Sequence, residues 1–328
     1  MLIETSDNMD ALYLNSLLSL ASDGNRVSGV GDSSSPGSSD SFIEESPAVI
    51  TLTNPRHRVT RARKLDVFNA VGQFLWIISG STKQEDIEFY NDIAKFFADD
   101  DSGELYGPWG ERISPQLDSI VSTLQKDPSS RRAIIPVFIP KDVGYSSRNL
   151  PCCSSIQFLI RDGRLSCNVT MRSSNALGVL PYDLFMLTMV HEYVASFIPA
   201  PLGEFRFIAN SFHIYEKDMD RLRDLLDNSK TFNPRMDSYY PMPPMPSNQQ
   251  SPSEFTEELL NIESSIRKGL IGYKDLDSIS IDPYWKDILR IVTARFSKLS
   301  SESSYKEKRS LIADEMSYEP LTSLVRNS

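Results

Sequence analysis

Two short runs of alternating apolar residues, Ile156–Ile160 and Leu165–Met171, are separated only by Arg161-Asp162-Gly163-Arg164. Asp-Gly between alternating runs marks a β-hairpin, because both residues accept the positive φ of a type I′ turn. A hairpin this long also decides what meets at its open end. Pro151-Cys152-Cys153 enters the first strand and Arg172-Ser173 leaves the second, so antiparallel pairing brings thiol and guanidinium together. A cation beside a thiol lowers its pKa and favours the nucleophilic thiolate. The rest of the chain must supply a core for the hairpin and a ligand for that end.

Around the hairpin, Met9–Ala21 repeats apolar residues at helical spacing. Residues 23–41 are rich in Gly and Ser and predict a flexible loop, and Pro47–Leu52 predicts a strand. Leu65–Ile78 predicts an apolar helix stopped by Gly80. Helices follow over Asp86–Ala98 and Gln116–Lys126, the latter entered through Ser114-Pro115. A strand over Ala133–Ile139 precedes the hairpin, and a long apolar helix over Tyr182–Phe197 follows it. Arg206–Ala209 predicts a strand, and Ser211–Asp218 leads into a helix ending near Asp227. Pro234–Pro252, dense in proline and methionine, predicts a linker without regular structure. Glu254–Ser301 predicts helices broken at Pro283, before a polar and charged end. The expected division is 1–46, an N-terminal helix and loop; 47–232, the core; 233–253, the linker; and 254–328, a helical C-terminal region. Strands and helices mix without a βαβ rhythm or an internal repeat, which favours α+β.

Charge narrows what this core can bind. A net charge of -10 over 328 residues excludes a nucleic-acid binder relying on bulk positive potential. An anionic ligand therefore needs locally clustered arginines. Three cysteines, two of them adjacent, cannot build a disulfide framework and point to a reducing cytosol. Three histidines without close spacing argue against a zinc site. No apolar run reaches the roughly 18 residues of a membrane span, and the N-terminus lacks a basic signal region. The expectation is a soluble cytoplasmic protein without membrane, nucleic-acid or metal partner.

Several motifs now join in order. They are Tyr106-Gly107, Asp127-Pro-Ser-Ser-Arg-Arg132, Pro151-Cys152, Gln157-Phe158, Asp162-Gly-Arg-Leu-Ser-Cys167, Met171-Arg-Ser173, Leu180-Pro-Tyr-Asp183 and His213-Ile-Tyr215. From about Ile50 to Asp218 this pattern resembles the thymidylate synthase superfamily. It is most similar to the cytidylate hydroxymethylase branch, because Asp183 stands where a thymidylate synthase carries asparagine. The resemblance implies a large mixed sheet flanked by helices, an obligate homodimer, and phosphate-binding arginines shared between subunits. It also implies covalent C5 chemistry on a pyrimidine nucleotide, with 5,10-methylenetetrahydrofolate as one-carbon donor.

On that resemblance Cys152 is the nucleophile that attacks C6; the bland alternative is a buried structural cysteine. Cys153 takes no role, and Cys167 belongs to the core. Arg131, Arg132, Arg172 and Ser173 form the phosphate cradle, since guanidinium groups bind phosphate bidentately. Either Arg56 or Arg58 matches the mobile family arginine. Asp183 reads the base: a carboxylate accepts from the cytosine amino group, whereas asparagine suits uracil. Its ordinary alternative is a helix N-cap. His213 and Tyr215, two apart on a strand, share a face toward the ribose 3′-hydroxyl. Tyr106 matches the tyrosine that assists proton transfer at C5.

Two positions depart from the pattern. Gln73 stands where the family carries a catalytic glutamate, and an amide is no general acid or base. Asn175 stands where an aspartate is usual, and the family's short C-terminal closing tail is not recognisable. The leading expectation is a CMP or dCMP hydroxymethyltransferase. A thymidylate synthase or deoxyuridylate hydroxymethylase of the same mechanism is its near rival. A catalytically weakened homologue that only binds nucleotide is the rival from another class.

Overall fold

The computed structural model describes residues 1–28, 40–300 and 302–328. Strand β1 (Leu2–Ser6) leads into helix α1 (Met9–Asp23), whose start is capped by the Asn8 side chain. Strands β2 (Asn25–Val27), β3 (Phe42–Glu45) and β4 (Ala48–Leu52) follow. Helix α2 (Val67–Ser79) starts on an Asp66 cap and stops at Gly80, which adopts the left-handed φ of 70° that glycine tolerates. Next come α3 (Gln84–Glu88), α4 (Trp109–Ile113), α5 (Leu117–Lys126) and β5 (Ile134–Pro136). The central hairpin is β6 (Cys153–Arg161) and β7 (Arg164–Met171), followed by β8 (Ser174–Asn175), α6 (Leu180–Ala195), β9 (Leu202–Ala209) and β10 (Phe212–Tyr215). The chain continues through α7 (Met219–Ser229), α8 (Pro234–Asp237), α9 (Pro252–Arg267), α10 (Pro283–Ser300), α11 (Glu302–Asp314) and α12 (Glu319–Arg326).

Four expectations need correction. The helix predicted over Asp86–Ala98 is broken, because Asn91 is extended and its side chain accepts from Ile93 N–H to start a separate 3-10 turn, Asp92–Phe96. The strand predicted over Ala133–Ile139 shrinks to β5: Pro136 cannot donate to a ladder, and the next two N–H groups both turn to the Ser154 carbonyl. The loop predicted over 23–41 holds β2, which pairs with β3; its residues 29–39 lie outside the described residues. The Pro-rich segment contains the short helix α8, and it is packed rather than free. Met242 and Met245 are buried, and their N–H groups donate to the Arg56 carbonyl at 2.8 Å and to Glu192 Oε1 at 3.0 Å.

The main sheet runs β1-β4-β9-β7-β6-β5, parallel at β1/β4 and β7/β9 and antiparallel at its other pairings. It is a mixed sheet flanked by helices, the expected α+β arrangement. A smaller sheet runs β2-β3-β10-β8. The hairpin turns through Asp162 at φ 51° and Gly163 at φ 71°, as a type I′ turn requires. Alternation then sorts the strands into two faces. Phe158, Cys167, Val169, Phe205 and Phe207 point to the core, while Gln157, Asn168, Thr170 and Arg206 form a half-exposed face. Helix α6 is buried from Leu180 to Val194 almost without interruption, as a helix sandwiched on both sides must be. It packs between the sheet and α2, and α9, α10 and α12 pack against α2 in turn. Trp285 of α10 stacks on Phe74 of α2, so the C-terminal helices share the core of the sheet. Among the described residues no helix is long and apolar enough to cross a membrane.

Candidate active site

The hairpin's open end delivers what its register promised. Arg172 N–H donates to the Cys152 carbonyl at 2.8 Å, and its Nε donates to the Pro151 carbonyl at 2.9 Å. This places Arg172 Nη2 at 3.6 Å and Ser173 Oγ at 3.9 Å from Cys152 Sγ. The β6–β7 register slips between Cys153 and Ser155, a bulge at the mouth of the strand beside the nucleophile. Cys153 points into the core, and burial pushes its thiol far up. Gly107 packs against the same turn: a Cβ there would meet the Asn149 carbonyl at 2.5 Å and the Pro151 ring at 2.6 Å.

The expectation of an activated thiol needs a change of sign. Burial pushes the Cys152 thiol up and outweighs Arg172, which pulls it down; Asp183 adds to the rise. In the free protein the resting form at neutral pH is the thiol. Asp183 itself is 3% exposed, and among the described residues no donor reaches its carboxylate. Burial raises its pKa to about 8, so it is mainly protonated at neutral pH. A neutral carboxyl carries one donor and one acceptor, the same hydrogen-bonding set as an amide.

Strand β10 is extended, as the sharing of a face required, and His213 and Tyr215 lie with ring centroids 5.0 Å apart. Their strand pairs with β8 through His213 and Asn175. The charge of Cys152 acts on Tyr215 and that of Arg172 on His213. Burial lowers the His213 pKa, so the ring is neutral at physiological pH. Asn175 Oδ1 accepts from Gly178 N–H at 2.9 Å and so shapes the turn into α6.

The other expected residues fall differently. Arg58 is fully buried and paired with Glu192, and its Nε donates to the Pro55 carbonyl. It is therefore withdrawn from any phosphate. Arg56 lies in a separate cleft with Arg164, Pro244 and Met245. Arg131 and Arg132 are exposed on the loop before β5, in a shallow depression with Lys126 and Ser129. Tyr106 stacks on Tyr145 at 3.9 Å, and its hydroxyl donates to the Lys141 carbonyl at 2.9 Å.

Gln73 and Asp183 share one cleft of about 460 Å³. Gln73 Nε2 donates to Asn69 Oδ1 at 2.8 Å, so two amides one turn apart on α2 face the cavity. Its walls include Ile77, Ile87, Phe97, Trp109 and Met186, flat and apolar surfaces that fit a conjugated ring system. Arg63 also lines it, donating to the Leu177 and Gly178 carbonyls with its guanidinium over the Tyr182 ring at 5.6 Å. Arg63, Asn69 and Trp109 were not among the expected residues. The spacing of Asn69 to Gln73 on one helical face, and the basic run Arg61-Ala-Arg63-Lys64, were the available signals.

Residues 39–247 match the family model for thymidylate synthase. The chain belongs to the thymidylate synthase family. Among similar proteins, deoxyuridylate hydroxymethyltransferase of Delftia phage PhiW-14 is 28% identical over 200 residues, covering 56% of each chain. The protein of the same name from Pseudomonas phage M6 is 26% identical over 251 residues, covering 71% of this chain and 70% of that one. Thymidylate synthase of Francisella philomiragia is 27% identical over 187 residues, covering 50% and 67%. The chain thus spans little more than half the length of the Delftia phage relative. The family match ends before α9, and helices α9–α12 lie outside it.

Proposed function

We propose that this chain is a pyrimidine-nucleotide C5 hydroxymethyltransferase acting on CMP or dCMP, with 5,10-methylenetetrahydrofolate as donor. The observation that carries this reading is a cysteine held beside Arg172 and Ser173, with the charge of the buried Asp183 carboxyl acting on it. Cys152 Sγ, as thiolate, bonds to C6 while the C5=C6 π pair moves toward C5, where carbon is added. The folate, when bound, supplies a one-carbon unit at the formaldehyde level and leaves as tetrahydrofolate, water completing the hydroxymethyl group. The C5 proton is lost before water adds to the exocyclic carbon, and the S–C6 bond then breaks as the C5=C6 double bond re-forms, returning Cys152.

Arg172 and Ser173 hold phosphate, which brings a dianion to the guanidinium beside the thiol. Arg131 and Arg132, exposed and distant along the sheet edge, would serve the partner's phosphate in a homodimer formed through the half-exposed sheet face. Arg56 is not placed to join them within one chain. His213 and Tyr215 take the sugar hydroxyl, and Tyr106 the C5 proton. Asp183 reads the base edge, its acceptor oxygen taking the cytosine amino hydrogen. Asn69, Gln73 and Asn175 hydrogen-bond and orient without moving protons.

A second reading, deoxyuridylate as substrate, is favoured by one observation. A protonated Asp183 can donate to uracil O4 and accept from N3–H, and two similar proteins bear that substrate in their names. Tritium release from CMP, dCMP and dUMP labelled at C5 decides between them, with and without methylenetetrahydrofolate and with Cys152→Ala as blank. Release from a cytosine nucleotide supports the first reading, and release from dUMP alone supports the second. No release from any of the three, with nucleotide still bound, leaves a homologue that binds without turnover.

A further inference from the structure

Helices α9–α12 lie beyond the family match, and the reaction above gives them no task. One wall of the cleft is the stretch 87–97, which contributes Ile87, Asn91, Ile93 and Phe97. That stretch has little structure of its own: α3 is five residues long, Asn91 is extended, and one 3-10 turn follows. Isolated turns this short are unstable without outside contacts. Part of that support is the small apolar cluster of Ile87, Ala94, Ala98 and Leu105 with Trp76, and the rest comes from the C-terminal helices. The Tyr90 hydroxyl donates to Glu263 of α9, and both side chains are buried. Arg267 links Asp86 and Glu263, each at 2.9 Å. From α10, Arg295 Nε donates to the Phe89 carbonyl at 2.6 Å, and its Nη2 pairs with Asp92 at 2.5 Å. Residues 86, 89, 90 and 92 are thus held from behind, while 87, 91 and 93 face the cleft. The Tyr90 ring also fills the space a side chain at Gly72 would need, one residue before Gln73.

We propose that Glu263 and Arg295 are positioning residues: through Tyr90, Phe89 and Asp92 they hold the cleft wall that receives the folate ring system. This rests on the folate reading above. The extension then acts as the polar back of a wall whose apolar side packs on Trp76 and Leu105.

The test uses the full-length chain with Glu263→Ala, Arg295→Met and the conservative Glu263→Gln, whose amide oxygen still accepts from Tyr90. Hydrogen exchange is followed over 84–98 and over the 153–171 hairpin, and calorimetry measures tetrahydrofolate and dCMP binding. The two disruptive variants should speed exchange over 84–98 and weaken tetrahydrofolate by about tenfold each. Hairpin protection and dCMP affinity should stay within about twofold, and Glu263→Gln should lie close to wild type. Unchanged exchange over 84–98 overturns the proposal. So does equal loosening of hairpin and wall, which would mean general stabilisation. If the wild-type chain binds no folate, the one-carbon reading falls, while the exchange measurement still decides whether α9 and α10 hold this wall.

Discussion

The thiol end of the hairpin and the wall of the cleft are two sides built by different means. The thiol side, proposed above to hold the nucleotide, hangs on strand ends: Cys152, Arg172, Ser173, His213 and Tyr215 sit where β6, β7 and β10 begin or end, pinned by ladder register. The cleft side rests on α2 and on the short turns between 84 and 97, which lean partly on side chains more than 170 positions away, such as Glu263 on Tyr90. A one-residue slip in a hairpin turns every side chain over, so register is strongly specified there. A wall of single turns has no comparable lock. Chemistry on the first side should be sensitive to local substitutions, and binding on the second to distant ones.

The largest effect should come from the strand side. Cys152→Ala is expected to lower tritium release by on the order of 10³-fold or more, with dCMP affinity within a few-fold of wild type. A loss of binding comparable to the loss of release would mean that Cys152 holds the site together rather than reacts. Arg172→Met should weaken nucleotide phosphate by about 10- to 100-fold. It also removes the guanidinium that pulls the Cys152 thiol down, so alkylation by iodoacetamide at pH 8 should slow. Equal or faster alkylation would show that burial alone sets the thiol.

How much of this was legible follows the same division. The hairpin could be read because its alternation and Asp162-Gly163 are local, and its register carried Arg172 to Cys152 without further information. Helix α2 was legible from its apolar run and the Gly80 stop. The sign of the Cys152 shift was not, because it depends on how deeply the surrounding chain buries it. Asp86–Ala98 read as one helix because its helix-forming composition hides the Asn91 cap, and the link that turns Tyr90 inward lies on α9. Pro234–Pro252 read as a linker because Pro and Met without periodicity look unstructured. Its burial comes from Glu192 and Arg56, far away in sequence. The sequence does not separate Arg58 from Arg56, because it does not reveal that Glu192 takes Arg58.

Asp183 lines the cleft and its charge acts on Cys152, and it offers a test by pH. Its carboxyl stays protonated in the folded chain up to about pH 8, while in the unfolded chain it ionises near 3.8. The folded state therefore binds the extra proton between these values, and stability must fall as pH rises through that window, by on the order of a few kcal/mol. Below the lower value both states are protonated and the contribution is level; above the upper one both are ionised and the loss is complete. Asp183→Asn removes this slope, so urea midpoints of the variant and wild type should diverge with rising pH in favour of asparagine. Parallel curves would mean that an unrecognised donor already satisfies Asp183.

The smallest effect on the nucleotide should come from Gly72→Ala, which tests the far wall alone. A methyl group at 72 occupies the place of the Tyr90 ring, so the ring or α2 must shift. Overpacking of this kind costs ~1–3 kcal/mol. Gln73 is the next residue on α2, and its amide should lose alignment with Asn69. The expected result is a modest fall in urea midpoint, weaker tetrahydrofolate, and unaltered dCMP affinity and Cys152 alkylation. If nucleotide affinity instead fell in step with folate, the two sides would be one cooperative unit, and the contrast between register and remote support would be wrong. If neither changed, the Tyr90 ring would have room to move, and Glu263 would be anchoring a residue that does not need it.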